Sequence, residues 1–301
     1  MSTNKRPLVS IVTPTLNAAH FLIATLQSVA SQTYSEIEHI IVDGGSTDNT
    51  EEVVRSFPSS VQFISLPQAS QSEAVNHGIA RARGSLVLML NGDDIIYANA
   101  VETLVEKAAK TPNAAVIYGE AYHIDAYDNV IELYPTKPFD KSSFGVGCFI
   151  SQPAALVRRN AFLEIGGLDE RLDYALDYDL WIRLAKRYPF TYISECVAAT
   201  RMHIGTKTLG SRGEVYREVM ATLRRHYGYV PYPWIFGYTS FLFRHEDQFF
   251  QRSKPTKLRV VASLLVGCYM NFRDVPRYVE DWFGYRKIAG YFRPKQRFVN
   301  R

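Results

Sequence analysis

The chain has 301 residues, 47% hydrophobic and 21% charged, and these proportions exclude a disordered or collagen-like protein and predict one large globular domain with an appendage. Its three cysteines, Cys148, Cys196 and Cys268, are widely spaced, which excludes a disulfide framework and a thiolate zinc site and favours a reducing compartment. The first apolar run ends at Thr13, too early for a signal peptide or a membrane span, so we expect a cytoplasmic protein.

The net charge of +4 is unevenly distributed. From Pro231 to the end there are 13 Lys and Arg against 5 Asp and Glu, which is +8, whereas the preceding 230 residues hold 21 against 25, which is −4. The same segment carries 17 of the 39 aromatic residues. We therefore predict one domain over residues 1–230 and a mainly helical, aromatic and basic extension over 231–301.

Short β-branched apolar runs alternate with helical periodicity in the first half of the chain. These runs predict five strands, at Leu8–Thr13, Ile37–Asp43, Val61–Leu66, Ser85–Leu90 and Ala114–Tyr118. Strands alternating with helices in this way predict an α/β fold: a doubly wound, mostly parallel sheet with helices on both faces. The ligand site of such a sheet lies at the carboxyl ends of its strands.

Helices are predicted between these strands. Asn17 is placed to cap the first, and Asp48 with Glu51 has the spacing of a capping box at the second. Apolar periodicity predicts the buried faces of the first and fourth helices: Leu22, Leu26 and Val29, then Val101, Leu104, Val105 and Ala108.

The second half of the chain is less regular. A hairpin is predicted at Asp128–Asn129 and a strand over Phe149–Val157. Helices are predicted at Asn160–Glu164 and Leu176–Tyr188.

Three acidic clusters fall where the predicted sheet would place a ligand. Asp43 ends the second strand, Asp93 and Asp94 follow the fourth, and Asp177 and Asp179 begin a helix. A single Asp in such a position commonly closes a turn or caps a helix. Adjacent carboxylates, however, repel each other unless a cation or donor groups neutralise them, and Mg²⁺ or Mn²⁺ with phosphate oxygens is the natural partner.

Phosphate implies a nucleotide, but the common nucleotide motifs are missing from the sequence. No GxGxxG follows the first strand, and GxxxxGK[ST] is absent; the GxSxG motif of serine hydrolases is missing too. The sequence is therefore typical of an α/β protein that holds a nucleotide through carboxylates and a metal.

Several segments in order resemble the family 2 inverting glycosyltransferases of the GT-A fold. They read PLVSIVTPTLNAAHFLIATLQSVASQTYSEIEHIIVDGGSTDNT, SEAVNHGIARARGSLVLMLNGDD, IGGLDERLDYALDYDLWIRLA and RMH. The resemblance covers roughly residues 7 to 207, and it implies a fold, an activity and a set of site residues. It does not extend over the tail.

For the donor nucleotide, the resemblance implies that Thr13, Pro14 and Thr15 surround the base and ribose and that Asp43 hydrogen-bonds the base. It further places Asn76, with Gln71 and Ser72, near the donor sugar.

For the metal, the resemblance implies that Asp94 is the direct ligand of Mg²⁺ or Mn²⁺ and that Asp93 lies nearer the ribose. The motif here reads Asn-Gly-Asp-Asp, so a strict Asp-x-Asp is absent. His203 resembles a downstream histidine that touches the metal or the diphosphate; an ordinary loop histidine is the alternative.

For catalysis, the resemblance implies that Asp177 is the base. Leu176 precedes it where the family often has Glu, and Asp179 is the alternative base. Arg183 is a candidate internal partner for a carboxylate.

Other residues near these motifs have simpler interpretations. Arg81 and Arg83 could pair with the diphosphate. The simpler interpretation is that they are solvated cations at a helix end, or complement the helix dipole there. Trp181 and Leu184 are expected in the core of an amphipathic helix.

The implied reaction is a single in-line displacement that moves a sugar from a nucleoside-diphosphate sugar to an acceptor hydroxyl with inversion. The acceptor would be a saccharide or lipid-linked saccharide, and the resemblance favours bacterial envelope polysaccharide or lipopolysaccharide synthesis. Nucleic acid is not expected as a partner, since the sequence has no recognisable binding motif for it.

The basic and aromatic extension leaves three interpretations open. Lys257–Phe272 has the pattern of an interfacial helix and, with clusters such as Arg293, Lys295 and Arg297, would bind an anionic membrane on its inner face. A helical lid and an oligomer interface are the alternatives.

Two further functions stay open at this point. A nucleotidyltransferase acting on sugar phosphates would use a similar acidic site, but should carry a glycine-rich basic loop where this chain reads TPTLNAA. A non-catalytic nucleotide-sugar-binding module would be expected to lack Asp94 or Asp177, and both are present.

Overall fold

The computed structural model describes residues 6–58, 61–244 and 256–288. The chain forms two compact units: residues up to Phe139 with Phe149–Met202, and Asp140–Cys148 with the residues from His203 onward. The first unit holds the sheet and the second is helical. The domain boundary predicted between residues 230 and 231 stays a prediction.

Nine strands form one sheet in the described part of the first unit. They are β1 Val9–Thr15, β2 Ile37–Asp43, β3 Val61–Ser65, β4 Leu86–Met89, β5 Ile95–Ile96, β6 Val116–Ile124, β7 Val130–Leu133, β8 Ala155–Arg158 and β9 Phe190–Arg201. The strand order is β3-β2-β1-β4-β8-β6-β9-β5, with β7 paired to β6. Strands β1 to β4 are mutually parallel, while β8 is antiparallel to both its neighbours, β4 and β6. The predicted mostly parallel α/β sheet is confirmed.

The helices follow the strands in alternation through β4, as predicted. They are α1 Ala19–Ala30, α2 Thr50–Arg55, α3 Gln71–Arg81, α4 Ala100–Lys110, α5 Lys141–Phe144, α6 Arg159–Glu164, α7 Leu176–Arg187, α8 Lys207–Gly210, α9 Arg212–Tyr227, α10 Tyr232–Arg244, α11 Lys257–Met270 and α12 Val275–Ile288. A short 3-10 helix, Gln152–Ala154, precedes β8.

Both faces of the sheet are covered by helices. Alternate residues of each buried strand point to opposite faces, so neighbouring residues of one strand contact different helices. In β1, Ile11 belongs to an apolar cluster that includes Leu104 of α4. Its neighbour Val12 faces α3, where a Cβ on Gly78 would lie 2.5 Å from Val12 Cγ1. A glycine is therefore needed at position 78 for α3 to pack this closely on the sheet.

The predicted buried faces are confirmed, but two predicted caps are wrong. Asn17 has a φ of 51° and does not cap α1; its Oδ1 instead accepts from the Thr47 N–H. Asp48 accepts from the Thr50 N–H and from the Ala19 N–H, without the reciprocal bond of a capping box to Glu51. Spacing alone did not reveal that Asp48 serves two helices at once.

A capping box lies at the start of α3. The Glu73 N–H donates to Ser70 Oγ at 3.2 Å, and the Ser70 N–H donates to Glu73 Oε2 at 2.7 Å. The strand predicted over Phe149–Val157 is wrong in its first half, because Gln152–Ala154 forms a 3-10 turn and pairing begins only at Ala155. The hairpin at Asp128–Asn129 is confirmed, with Asp128 at a φ of 67°.

In the second unit, the helices α9 to α12 share one apolar cluster. Its buried members are Tyr216, Met220, Tyr229, Val230, Tyr232, Ile235, Tyr278 and Trp282. The side chain of Asn271 bonds both backbone groups of Val230: its Oδ1 accepts from the Val230 N–H at 2.8 Å, and its Nδ2 donates to the Val230 carbonyl oxygen at 3.0 Å. The residues on both sides of position 230 therefore belong to the same helical packing.

The helical character predicted for the extension is confirmed over α10 to α12. The basic residues Arg293, Lys295 and Arg297 lie outside the described residues. Within residues 6–58, 61–244 and 256–288, no helix combines the length and the apolar composition that a membrane crossing requires.

Candidate active site

The carboxyl ends of β1 and β2 bring together Thr13, Thr15 and Asp43. Thr13 Oγ1 lies 2.9 Å from His39 Nε2, and the Thr15 hydroxyl donates to Asp43 Oδ1 at 3.0 Å. Pro14, between the two threonines, pairs in register with Val42. The threonine side chains are therefore used to tie β1 to β2, and they form a buried, rigid edge at the predicted nucleotide position.

Asp43 is buried and closes the turn after β2. Its Oδ2 accepts from the N–H groups of Gly45 at 3.0 Å and Ser46 at 2.8 Å, and its Oδ1 accepts from the Ser46 hydroxyl at 2.5 Å. Gly45 has a φ of 100°, a conformation that favours glycine. The turn-closing role expected of a lone Asp is thus present at this site, beside the base-binding role that the resemblance implies.

The adjacent carboxylates after β4 have very different surroundings. Asp94 is 1% exposed, and Asp93 is partly exposed. Asp94 Oδ1 accepts from the Arg201 N–H at 2.9 Å, and its Oδ2 accepts from Asn91 Nδ2 at 3.0 Å. Burial, and then the neighbouring charge of Asp93, raise the pKa of Asp94 well above its usual value. Of the two, Asp93 presents the carboxylate that a ligand can reach more easily.

Arg201, at the end of β9, holds this acidic turn in place. Its Nε donates to the carbonyl oxygen of Asp93 at 2.8 Å, and its Nη1 donates to the carbonyl oxygen of Asp125 at 3.0 Å. Its Nη2 forms an ion pair with Asp128 Oδ1 at 2.7 Å, and its guanidinium lies 4.9 Å from the centroid of the Phe21 ring. The charge of this side chain, which is only 2% exposed, is therefore compensated by two carbonyl oxygens, a carboxylate and an aromatic ring.

Amide side chains connect the acidic turn to neighbouring elements. Asn91 Oδ1 accepts from Gln71 Nε2 at 2.9 Å and from Gln152 Nε2 at 3.3 Å. The hydroxyl of Ser72 donates to the carbonyl oxygen of Leu172 at 3.1 Å. The first turn of α3 thus contacts the acidic turn, which carries the predicted metal ligand. It also contacts the loop that precedes α7, the helix that carries the predicted base.

Asp177 begins α7, and its carboxylate is partly exposed yet largely surrounded by protein. This desolvation raises the pKa of Asp177 to about 6, although its Oδ1 accepts from the Tyr178 N–H at 2.7 Å. A carboxylate with such a pKa is ionised at neutral pH and remains basic enough to take a proton.

Asp179 is fully buried and accepts from Arg183 Nε at 2.6 Å. The expected internal ion pair of Arg183 is confirmed, and Trp181 and Leu184 are fully buried in the core as predicted.

Asn76 lies further along α3 and brackets the loop before α7. Its Nδ2 donates to the carbonyl oxygen of Leu168 at 3.0 Å and to Glu170 Oε1 at 2.9 Å, and its Oδ1 accepts from the Leu168 N–H at 2.8 Å. It also lines an open cavity of about 520 Å³ together with Gly166, Leu168, Asp169, Glu170, Arg171 and Arg183. The structure thus gives Asn76 a loop-holding role and a place beside a polar cavity.

The two basic residues considered as diphosphate partners lie away from the carboxyl ends of the strands. Arg83 precedes β4, and its Nε donates to the buried Glu38 Oε2 at 2.8 Å, beside the amino end of the sheet. Arg81 is exposed in the last turn of α3, where it complements the helix dipole.

His203 belongs to the second unit, two residues after the end of β9. Its Nδ1 accepts from the Gly205 N–H at 3.2 Å. In the part of the chain that the structure describes, no three His, Cys, Asp or Glu side chains are grouped so that they could hold a metal ion.

Sequence analysis missed three functional candidates: Asn91, Gln152 and Arg201. Asn91 and Arg201 lie within the quoted motifs, in LNGDD and RMH, but the spacing of a motif does not show which residues bond each other. Gln152 lies in a segment that was predicted as a strand, and its contact with Asn91 follows from the 3-10 turn.

Comparisons with known proteins show the family and the fold of this chain. Residues 10–166 match the family described as Glycosyl transferase family 2. An uncharacterized glycosyltransferase of Rickettsia prowazekii (strain Madrid E) is 30% identical over 212 residues, covering 67% of this chain and 66% of the relative. Chondroitin synthase of Escherichia coli is 27% identical over 221 residues, 72% of this chain and 32% of that protein. The chain thus spans slightly less than two thirds of the first relative and a third of the second.

Solved structures share the fold. TarS of S. aureus (residues 1–349, with UDP) matches with a TM-score of 0.61 at 16% identity, covering 93% of this chain and 91% of that one. The mannosyltransferase PcManGT from Pyrobaculum calidifontis, with GDP-Man and Mn²⁺, matches with a TM-score of 0.58 at 14% identity, covering 96% and 76%.

The mixed α/β fold therefore matches that of GT-A-type glycosyltransferase structures. The chain belongs to glycosyltransferase family 2. This membership supports neither the nucleotidyltransferase alternative nor a purely binding module.

Proposed function

We propose that this protein is a metal-dependent, inverting glycosyltransferase that moves a sugar from a nucleoside-diphosphate sugar to an acceptor hydroxyl. The observation that carries the proposal is the acidic turn after β4, where a partly exposed Asp93 follows buried parallel strands and is fixed by Arg201. Structural neighbours bind ligands of this kind, since TarS was solved with UDP and with UDP-GlcNAc.

A divalent metal fits the residues present. Mg²⁺ is usually held by one or two carboxylates together with substrate phosphates, rather than by a complete protein cage. Asp93 supplies one accessible carboxylate, and the buried Asp94, which accepts hydrogen bonds from Arg201 and Asn91, holds the turn behind it. We infer that Asp93 is the direct ligand and that Asp94 positions the turn, which exchanges the roles implied by the resemblance; His203 stays a candidate ligand. A bound Mg²⁺ or Mn²⁺ would stabilise the charge that develops on the departing diphosphate.

The donor nucleotide would lie along the carboxyl ends of β1 and β2. Thr13, Pro14 and Thr15 form a rigid wall there, because the hydroxyls of both threonines are already bonded to β2. Asp43 and the turn it closes would contact the base, and Asn76, by holding the loop before α7, would shape the pocket for the sugar.

The acceptor hydroxyl is activated by Asp177 in this proposal. An alcohol is a poor nucleophile until a base removes its proton, and Asp177 combines partial exposure with a pKa of about 6. Asp179 is unsuited to that role because its carboxylate is buried and paired with Arg183. A base on the side of the anomeric carbon opposite the diphosphate leads to one displacement with inversion, so no covalent intermediate is needed.

The acceptor is a saccharide or a lipid-linked saccharide of envelope polysaccharide or lipopolysaccharide synthesis on the cytoplasmic side of the membrane. Two relatives support a polysaccharide product by their names, chondroitin synthase of Escherichia coli and hyaluronan synthase of Pasteurella multocida. The cationic extension would bring the enzyme to an anionic membrane surface.

The test is a thermal-shift screen of the full chain against a panel of nucleoside-diphosphate sugars, with Mn²⁺ and with EDTA. A ligand at one hundred times its Kd stabilises a fold by about 2.7 kcal/mol, which gives a measurable rise in Tm. We expect one nucleotide series to raise the Tm only with metal present, and transfer to an acceptor to show inversion at the anomeric carbon by NMR. Binding that is equal in EDTA would refute the metal mechanism, and the absence of any stabilising nucleotide sugar would refute the donor assignment.

A further inference from the structure

Helix α11 in the second unit carries apolar residues on more than one side: Val260, Leu264 and Cys268 are partly buried against the helical cluster, and further large apolar residues point outward. Its buried residues are Arg259, Ser263 and Gly267, which are polar or small. Its exposed large residues are apolar: Leu258, Val261, Leu265 and Tyr269, followed by Phe272 just beyond the helix end. The outward side of a surface helix in a globular protein normally carries polar and charged residues, so the apolar outward side of α11 is unusual.

Close packing on α12 explains the inward face. A Cβ on Gly267 would lie 1.8 Å from the Tyr278 ring, so the approach of α12 requires a glycine there. The Tyr278 hydroxyl donates to the carbonyl oxygen of Ser263 at 2.8 Å, and Trp282 Nε1 donates to Ser263 Oγ at 3.3 Å. Because these contacts fix the rotation of α11, the apolar residues on its outward side cannot turn inward.

The outward apolar residues form one continuous stripe. Positions 258, 261, 265, 269 and 272 are spaced by three or four residues, so they fall on one side of a helix with 3.6 residues per turn. At 1.5 Å per residue the stripe is about 21 Å long. Its side chains are between 51% exposed at Val261 and 82% exposed at Tyr269. We call these five residues the outer face of α11.

Cations lie at the ends of this face. The guanidinium groups of Arg224 and Arg273 lie 5.6 and 5.4 Å from the centroid of the Phe272 ring. Lys257 is exposed at the other end, beside Leu258. Aromatic rings next to Arg and Lys, flanking an aliphatic stripe, are the arrangement that suits the boundary between lipid headgroups and acyl chains.

These charges distinguish between two occupants of the face. In a symmetric dimer the same patch meets itself, so the cations of one copy would approach those of the other. An anionic lipid surface instead attracts them, and the whole extension from Pro231 adds a net charge of +8.

We propose that the outer face of α11 docks on an anionic lipid bilayer, with Leu258, Val261 and Leu265 below the headgroups and Arg224 and Arg273 beside the phosphates. The inference deepens the proposed function, because it names the surface at which a lipid-linked acceptor would be met. It rests on that function only for this purpose, since docking itself needs no donor or acceptor.

The experiment is co-sedimentation of the full chain with phosphatidylglycerol-containing vesicles and with phosphatidylcholine vesicles, at low and high salt. The decisive variant is Leu265→Glu, which places a carboxylate in the centre of the face. The matched control is Leu163→Glu, because Leu163 is also exposed on a helix, α6, but belongs to the first unit. Both variants are checked for an unchanged Tm and for unchanged binding of nucleotide sugar.

The wild type and Leu163→Glu are expected to bind the anionic vesicles, more weakly at high salt, and Leu265→Glu to lose at least about tenfold in partitioning. The double variant Arg224→Ala with Arg273→Ala is expected to lose the salt dependence in part. Equal binding by Leu265→Glu, or no binding by the wild type at low salt, would overturn the proposal. A concentration-dependent dimer that only Leu265→Glu abolishes would assign the face to a second copy instead.

These measurements distinguish failure of the membrane proposal from failure of the glycosyltransferase proposal. Intact donor binding without vesicle binding would remove the membrane inference and leave the glycosyltransferase proposal. Vesicle binding that depends on Leu265 without any nucleotide-sugar binding would do the reverse.

Discussion

The backbone N–H of Arg201 donates to Asp94 Oδ1 at 2.9 Å, although the two residues are 107 positions apart in the chain. The guanidinium of the same arginine donates to the carbonyl oxygen of Asp93. One residue at the end of β9 therefore sets both the buried carboxylate and the backbone of its accessible neighbour, so the orientation of Asp93 depends on a strand that is remote in sequence.

Arg201→Lys is expected to weaken metal binding. A lysine ammonium is compact and cannot reach the carbonyl oxygens of Asp93 and Asp125 and the Asp128 carboxylate as a planar guanidinium does. Loss of such an orienting contact lowers metal affinity by about 10- to 100-fold. Mn²⁺ titration followed by electron paramagnetic resonance measures this directly. Asp128→Asn is the matched control, because it removes only the more exposed end of the ion pair; an unchanged Mn²⁺ affinity in Arg201→Lys would deny the positioning role.

The two neighbouring carboxylates are expected to respond differently to amide substitution. Asp93→Asn should lower Mn²⁺ affinity and metal-dependent nucleotide binding with little change in Tm, since this side chain is partly exposed. In Asp94→Asn, the new NH2 group would replace one of the two acceptor oxygens and face the donor of either Asn91 or Arg201. The expected cost is about 1–3 kcal/mol in the free energy of unfolding. Calorimetry with Mn²⁺ and urea denaturation separate the two effects. A folded Asp94→Asn that has lost Mn²⁺ binding, beside an Asp93→Asn that retains it, would restore Asp94 as the ligand.

Asp177→Asn is expected to lower kcat by roughly two to four orders of magnitude, the usual contribution of general-base catalysis, while donor binding stays intact. Because the pKa of Asp177 is raised to about 6, the wild-type kcat should fall about tenfold for each pH unit below 6 and level off above it. The comparison variant is Asp179→Asn, which breaks the buried pair with Arg183 and should lower the Tm before it lowers kcat. A stable but inactive Asp179→Asn beside an active Asp177→Asn would transfer the base role.

The same pKa has a consequence for stability. The folded chain holds the proton of Asp177 up to about pH 6, whereas the unfolded chain loses it near pH 3.8, so this group makes the fold less stable as the pH rises through that window. Asp177→Asn should therefore be more stable than the wild type at pH 7.5, by at most about 3 kcal/mol, and lose this advantage near pH 4. Urea denaturation at both pH values measures it. An equal difference at the two pH values would contradict a raised pKa.

His39 is expected to make the fold acid-sensitive. It is buried beneath Thr13, and desolvation lowers its pKa to about 3. The unfolded chain takes up a proton below about pH 6.5 that the folded chain refuses, so stability decreases from pH 6.5 toward pH 3 and is unaffected above that window. At pH 5 the effect is about 2 kcal/mol. Urea denaturation at pH 5 and 7.5 should show a smaller difference for His39→Gln than for the wild type, with the exposed His20→Gln unchanged from the wild type.

Gly267→Ala is expected to destabilise the helical unit. The added Cβ would overlap the Tyr278 ring, and overpacking of this kind costs about 1–3 kcal/mol. Gly284→Ala in α12 is the control, because a Cβ there meets nothing within 4 Å and removing a helical glycine stabilises by about 0.5–1 kcal/mol. The Tm of the two variants should move in opposite directions. A neutral Gly267→Ala would mean that α11 and α12 are less tightly packed than described.

Much of the first unit could be predicted from local patterns. Strands β1 to β4 follow continuous apolar runs, and the face of α1 follows the spacing of Leu22, Leu26 and Val29. These patterns predict secondary structure because the buried side of a strand or of an amphipathic helix determines which nearby positions along the chain are apolar. The strand predicted from Phe149 failed because residues 149–151 are irregular and Gln152–Ala154 forms a 3-10 turn; all of them are buried, and burial alone does not distinguish such segments from a strand.

By itself, the amino-acid sequence determined the class of fold, and it predicted a site at the carboxyl edge of the sheet with acidic residues around it. Only the tertiary structure decided which of Asp93 and Asp94 is accessible, that the carboxylate paired with Arg183 is that of Asp179, and that α11 leaves a row of large apolar residues exposed. The physical reason is that burial and hydrogen bonding of a side chain depend on elements far away in the chain. Arg201 contacts Asp94 across 107 positions, and Tyr278 of α12 packs on Gly267 of α11, a contact between two helices that the periodicity of neither one describes.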